Sequence, residues 1–220
     1  MKIKLILITI FTLLLSNTIY SQNKLFFNRI HYFEHQECEH PIGTVIYDKV
    51  FFGNNTDNSS FLNFNNSKSE VVYVDLTNYG SYTAFNQFVK NNFLGANNIM
   101  MGFKMGVPSI SESIKQARSG FKLDKVKDTT VNDKKLKHIR IKPKDTLAHR
   151  YESYNILINI NTSTEKPLYT SPTVHFLLLG SLKDLKGTVV ETYFIDLQGY
   201  RFCRDVLSGF EVTNKRVIVK

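Results

Sequence analysis

His31-Tyr32-Phe33-Glu34-His35 places two imidazoles four residues apart with a carboxylate beside the second. On a helix that spacing brings both rings to one face, where they bind zinc while the Glu activates a metal-bound water. H-x-x-E-H is the signature of the inverted zinc peptidases. Glu37, Cys38, Glu39 and His40 follow at once, so the segment is dense in groups that zinc accepts, and Glu112 stands downstream as a third-ligand candidate. The context speaks against that chemistry. The flanking Leu25 to Phe33 is aromatic and β-branched, and a strand does not gather residues i and i+4 around one ion. Glu112 also has a local role, as the Glu of a capping box that begins at Ser109. We therefore expect no metal and no cofactor. His31, His35 and His40 are the alternative ligand set, and His31, Glu34 and His35 the centre of an alternative metal-dependent hydrolase.

Other catalytic arrangements are missing. Gly180-Ser181 lacks the flanking glycine of a nucleophile elbow, and neither a P-loop nor a dinucleotide fingerprint is present. The chain reads as non-catalytic, although His138, His149 and His175 remain available to separated triads. Binding chemistry is better supplied. Between Phe121 and Arg150 ten Lys or Arg stand against four Asp. Within that segment Lys134-Lys-Leu-Lys-His-Ile-Arg-Ile-Lys142 alternates, so Lys134, His138, Arg140 and Lys142 share one strand face, with Lys137 close by. Such a face attracts polyanions. Anionic envelope lipid or glycan is the expected partner, and export argues against nucleic acid. A third reading is a carrier of an apolar ligand, in which Met100, Met101, Phe103 and Met105 line an adaptable pocket.

The case for export lies in the first residues. Lys2 and Lys4 precede an apolar run from Ile6 to Leu15 and a small polar segment ending at Ser21–Gln22, the pattern of a secretory signal peptide. Residues 1–21 are expected to be the signal and 22–220 a single β-rich domain, periplasmic or secreted, or peripheral to the outer membrane. No later run suits a transmembrane helix. Cys38 and Cys203 are the two cysteines, and an oxidising compartment favours a disulfide between them.

The elements that must position these groups are mainly strands. Leu25 to Phe33, Thr44 to Phe52, Phe61 to Phe64 and Val71 to Leu76 read as a meander punctuated by Gly and Asn turns. Phe85, Phe88, Val89 and Phe93 recur at helical spacing, predicting a first helix that Gly95 ends. Ser109 to Gly120 predicts a second. Strands resume at Tyr154 to Ile160 and Thr173 to Leu179. Val189 to Asp196 and Tyr200 to Val206 form a hairpin, and Val217 to Val219 a last short strand. The expected class is α+β, one domain dominated by an antiparallel sheet with two short central helices.

The final residues, GFEVTNKRVIVK, resemble the last strand of type IX secretion sorting tails, with a basic residue and a β-branched run at the end. The resemblance covers about a dozen residues. Cys203 and the neighbouring hairpin tie this segment to the body, so the reading preferred here is the domain's own last strand.

Overall fold

A computed structural model describes residues 23–36, 45–54, 56, 58–124, 126–146, 148–162, 165–169, 171–179, 181–182 and 184–220. The expected signal peptide and the 37–44 segment, with Cys38 and His40, lie outside the described residues. Five strands open the fold as an antiparallel meander: β1 (Asn23–Gln36), β2 (Val45–Gly53), β3 (Ser60–Asn66), β4 (Val71–Asn78) and β5 (Tyr82–Val89). Helix α1 (Lys90–Gly95) and the short strands β6 (Asn98–Met101) and β7 (Phe103–Gly106) follow. Next come α2 (Ile110–Gly120), β8 (Phe121–Asp124), β9 (Thr129–Val131), β10 (Lys134–Pro143) and β11 (Tyr151–Asn159). The described elements end with α3 (Pro172–Leu179), β12 (Thr188–Asp196) and the 19-residue β13 (Arg201–Val219). The sheet runs β7-β5-β4-β3-β2-β1-β13-β12-β11-β10-β8. Its pairs are antiparallel except one: β6 lies parallel to the end of β13, Val217 beside Ile99 and Val219 beside Met101. The chain is thus α+β with a dominant antiparallel sheet, as its alternation predicted.

β7 follows β6 after Gly102 and pairs antiparallel with β5, so the β6–β7 segment joins the β5 edge to β13 through the chain and closes the first half of the sheet. Phe27, Phe52, Phe64, Leu62, Val74 and Met101 face inward there and are almost wholly buried. Phe93 of α1 meets Phe52 edge-on at 5.7 Å and Phe64 at 5.4 Å. Each such ring contributes about 2 kcal/mol by leaving water. Lys215 is 2% exposed at the end of α1. Its ammonium donates to Phe93 O (2.7 Å) and Ala96 O (2.5 Å) and lies over the Phe93 ring. It thereby satisfies carbonyls that a helix end leaves open, at a cost in hydration that lowers its pKa to about 8.

The other half of the sheet carries α2 and α3 across one face. Phe33, Ile139, Ile141, Ile156 and Ile158 pack there against Val174, Leu177 and Leu178. The capping box at Ser109 is present: Glu112 N donates to Ser109 Oγ, and Ser109 N to Glu112 Oε2 at 3.0 Å. At the β9–β10 hairpin Asn132 and Asp133 both take positive φ, 49° and 61°. That is the pair a two-residue type I′ turn requires.

Four elements differ from the expectation. Residues 82–89 form a strand because an unbroken ladder pairs them with β4 from Val71↔Val89 to Asn78↔Tyr82. The helical spacing of Phe85, Phe88 and Val89 is overridden, and a helix survives only in Lys90–Gly95. Thr173 to Leu179 is helical, not a central strand. Pro172 suits a first helical position, and five consecutive buried residues read alike for a two-sided strand and an engulfed helix. The Met-rich stretch between α1 and α2 forms the short strands β6 and β7, which the sequence reading did not assign. Finally, the hairpin strand and the short last strand are one strand, β13; with α3 helical, the described residues hold three short helices and not two.

Candidate functional site

Strand β1 brings Arg29, His31, Phe33 and His35 to the helix-covered face of the sheet. The strand rise of about 3.3 Å per residue sets His31 and His35 about 13 Å apart, too far to share an ion, and Glu34 points to the opposite face. Each imidazole has its own surroundings. His35 Nδ1 lies 2.6 Å from Asp205 Oδ1, its direct cross-strand neighbour, and Lys49 Nζ reaches the same oxygen at 3.0 Å. Tyr47 stacks on the His35 ring at 4.9 Å. His31 stacks on Phe33 and leans on Phe210. Burial lowers its pKa to about 4; Glu165 opposes that shift and Arg29 adds to it. No group of three or more potential metal ligands converges among the described residues, and His40 lies outside them.

The basic strand β10 has the predicted alternation from His138 onward. Ile139, Ile141 and Pro143 are buried beneath the helices, while His138, Arg140 and Lys142 occupy the opposite face. Much of that charge is engaged locally. Lys142 meets Glu152 at 3.0 Å and Asp124 at 3.4 Å, which raises its pKa, and Lys137 meets Asp128 at 3.3 Å. His138 Nε2 and Arg140 Nε both converge on Oδ1 of the buried Asn155, at 2.9 and 3.3 Å. Lys134 and Lys135 are exposed at the start of the strand. Leu136, on the same side as His138, is buried against Leu157 and Tyr193.

The methionines do not line a common pocket. Met101 is fully buried in the closed half of the sheet, whereas Met100 and Met105 are about half exposed. The side chain of Phe103 lies outside the described set.

Open space lies along α2 and α3 instead. A cleft of about 400 Å³ runs between Tyr79, Val107, Pro108, Ala117 and Phe176. A second, of about 240 Å³, lies among Ile141, Tyr151, Tyr154, Val174 and Phe194, with Asp205 as its charged residue. Phe121 and Thr173 line both, so the two form one groove interrupted by those side chains. Phe121 is placed by the end of α2, where Lys144 Nζ donates to Arg118 O at 2.5 Å. Thr173 is placed by the first turn of α3, which Tyr79 supports by stacking on His175 at 3.8 Å. The groove was not legible in advance: its residues come from seven separate segments, and the sequence reading assigned α3 to a strand.

No protein-family model matches the chain, and no curated protein matches it by sequence. Several solved structures are similar in shape. In the MucA/MucB complex of Pseudomonas aeruginosa, 86% of this chain aligns with 52% of the matched chain, at 11% identity and a TM-score of 0.40. This chain thus spans about half the length of that relative. PNGF-II aligns over 84% of this chain and 28% of its own, with 12% identity and a TM-score of 0.42. A LolA superfamily protein from Nitrosomonas europaea aligns over 83% and 68%, with 8% identity and a TM-score of 0.28.

Proposed function

We propose that this is an exported, non-catalytic binding protein that holds the apolar part of an amphipathic partner in the groove beside α2 and α3. The groove itself carries this reading. Its walls carry aromatic and aliphatic side chains with Thr77, Asn78, Thr83, Ser113 and Gln116 among them, most of its open surface is apolar, and its two halves fall within or near the size range of ligand pockets. The basic leader and apolar run at the start of the chain support export. The basic face of Lys134, Lys137, His138, Arg140 and Lys142 is the proposed contact for an anionic envelope surface, with Lys134 and Lys135 foremost because local carboxylates engage Lys137 and Lys142.

A Cys38–Cys203 disulfide belongs to the same proposal. Gln36, two residues before Cys38 in the sequence, pairs with Arg204, the neighbour of Cys203. Cys203 holds a positive φ of 44°.

Fluorescence titration with the apolar dye N-phenyl-1-naphthylamine tests the groove. Wild-type protein is expected to bind and brighten the dye, and Thr173→Trp, which fills the junction of the two halves, to lose that response while keeping its circular dichroism. An unchanged response in Thr173→Trp would remove the groove from the account.

A further inference from the structure

A second cleft, of about 420 Å³, lies between the β1–β13 pair and residues Ile160, Asn161, Thr162 and Glu165, and shares no lining residue with the groove. Its chemistry is different. Phe210 is 58% exposed and offers a flat apolar face at the rim. The Arg29 guanidinium stands 5.6 Å from the centre of that ring and is held by Glu165 at 2.8 Å. Asn161, Thr162 and Thr188 add uncharged donors and acceptors.

Asn161, Thr162 and Glu165 are each held before any ligand arrives. Asn161 N donates to Asn159 Oδ1 at 3.1 Å, Thr162 Oγ1 to Asn159 O at 3.0 Å, and Gly187 N to Glu165 O at 2.9 Å. Gly187 has φ +133°, and a Cβ there would stand 2.6 Å from Asn159 O, so glycine is required for this close approach. A floor ordered in advance reduces the entropy lost on binding.

Three ligand classes fit poorly. A purely apolar molecule would strip water from Arg29 and Glu165 without replacing it. An anion would face Glu165, and a cation would face Arg29. A neutral polyol ring matches every feature: its C–H face packs on an aromatic ring, and its hydroxyls both donate to a carboxylate and accept from a guanidinium. We propose that this cleft binds a neutral oligosaccharide, one sugar ring lying on Phe210 and its hydroxyls bridging Arg29, Glu165 and the 161–162 loop. His31 behind it is uncharged at neutral pH, so the cleft has no net charge there.

Calorimetric titration with maltose, cellobiose and chitobiose tests this, with a hyaluronan disaccharide as the anionic arm and glucosamine as the cationic arm. At least one neutral disaccharide is expected to bind. Phe210→Ala, at a residue 58% exposed, should weaken it by about tenfold or more, a loss of about 1.4 kcal/mol, while keeping the wild-type circular dichroism. Thr173→Trp should leave it unchanged, which separates this cleft from the groove. Glu165→Gln, which leaves Arg29 without its carboxylate, should move preference toward the hyaluronan disaccharide. Three results would each overturn the proposal: no binding of any neutral sugar, binding indifferent to Phe210→Ala, or a wild-type preference for a charged arm.

Discussion

His31 and His35 show how one residue type acquires two characters from its neighbours. Asp205 gives His35 an anionic partner, while His31 is packed between Phe33 and Phe210 with Arg29 nearby. The folded-state pKa of His31, about 4, lies below the 6.5 of an unperturbed imidazole. Between those values the unfolded chain binds the extra proton, so stability rises with pH from about 4 to 6.5 and this contribution is level above. The full difference is on the order of 3 kcal/mol. Denaturant titrations across that window should show His31→Phe with a flatter pH dependence than wild type; equal slopes would contradict the assignment. The sequence could list these imidazoles but not rank them, since their partners Asp205 and Phe210 lie 170 residues or more away.

Among elements, the legible ones were those whose signal is local. The capping box at Ser109 and Glu112 needs a single turn of chain, and it fixed the start of α2. The meander, the β12–β13 hairpin and the alternation of β10 rest on period-two patterns a few residues long. What escaped was decided by distant partners. β5 is a strand because β4 pairs with it along eight residues, and α3 is a helix although its apolar run has no polar side to mark a period. The groove depends on α2 and α3 together, so its outline could not be read before both were placed. Ser109→Ala removes the cap's side-chain acceptor and should cost about 1 kcal/mol. Hydrogen exchange should localise the loss to the first turn of α2; loss of protection throughout the sheet would instead make the cap part of the global fold.

For the whole molecule, two halves of one sheet do different work. The half closed by β6 on β13 is filled by aromatic side chains, while the half under α2 and α3 leaves the groove and the Arg29 cleft open. The proposed Cys38–Cys203 bridge ties the end of β1 to β13 near the Asp205 pair. Reducing it should lower stability by about 2–5 kcal/mol, the usual range for a native bridge in an exported domain. Two free thiols in non-reducing peptide mapping of the exported protein would contradict it. The central claim is that the groove carries the apolar part of an amphipathic molecule. Native mass spectrometry of the protein purified from its own cell envelope tests it most directly. The account predicts a bound species of lipid-like mass that organic extraction releases and that Thr173→Trp fails to retain. A bare polypeptide mass, or an adduct kept unchanged by Thr173→Trp, would contradict it.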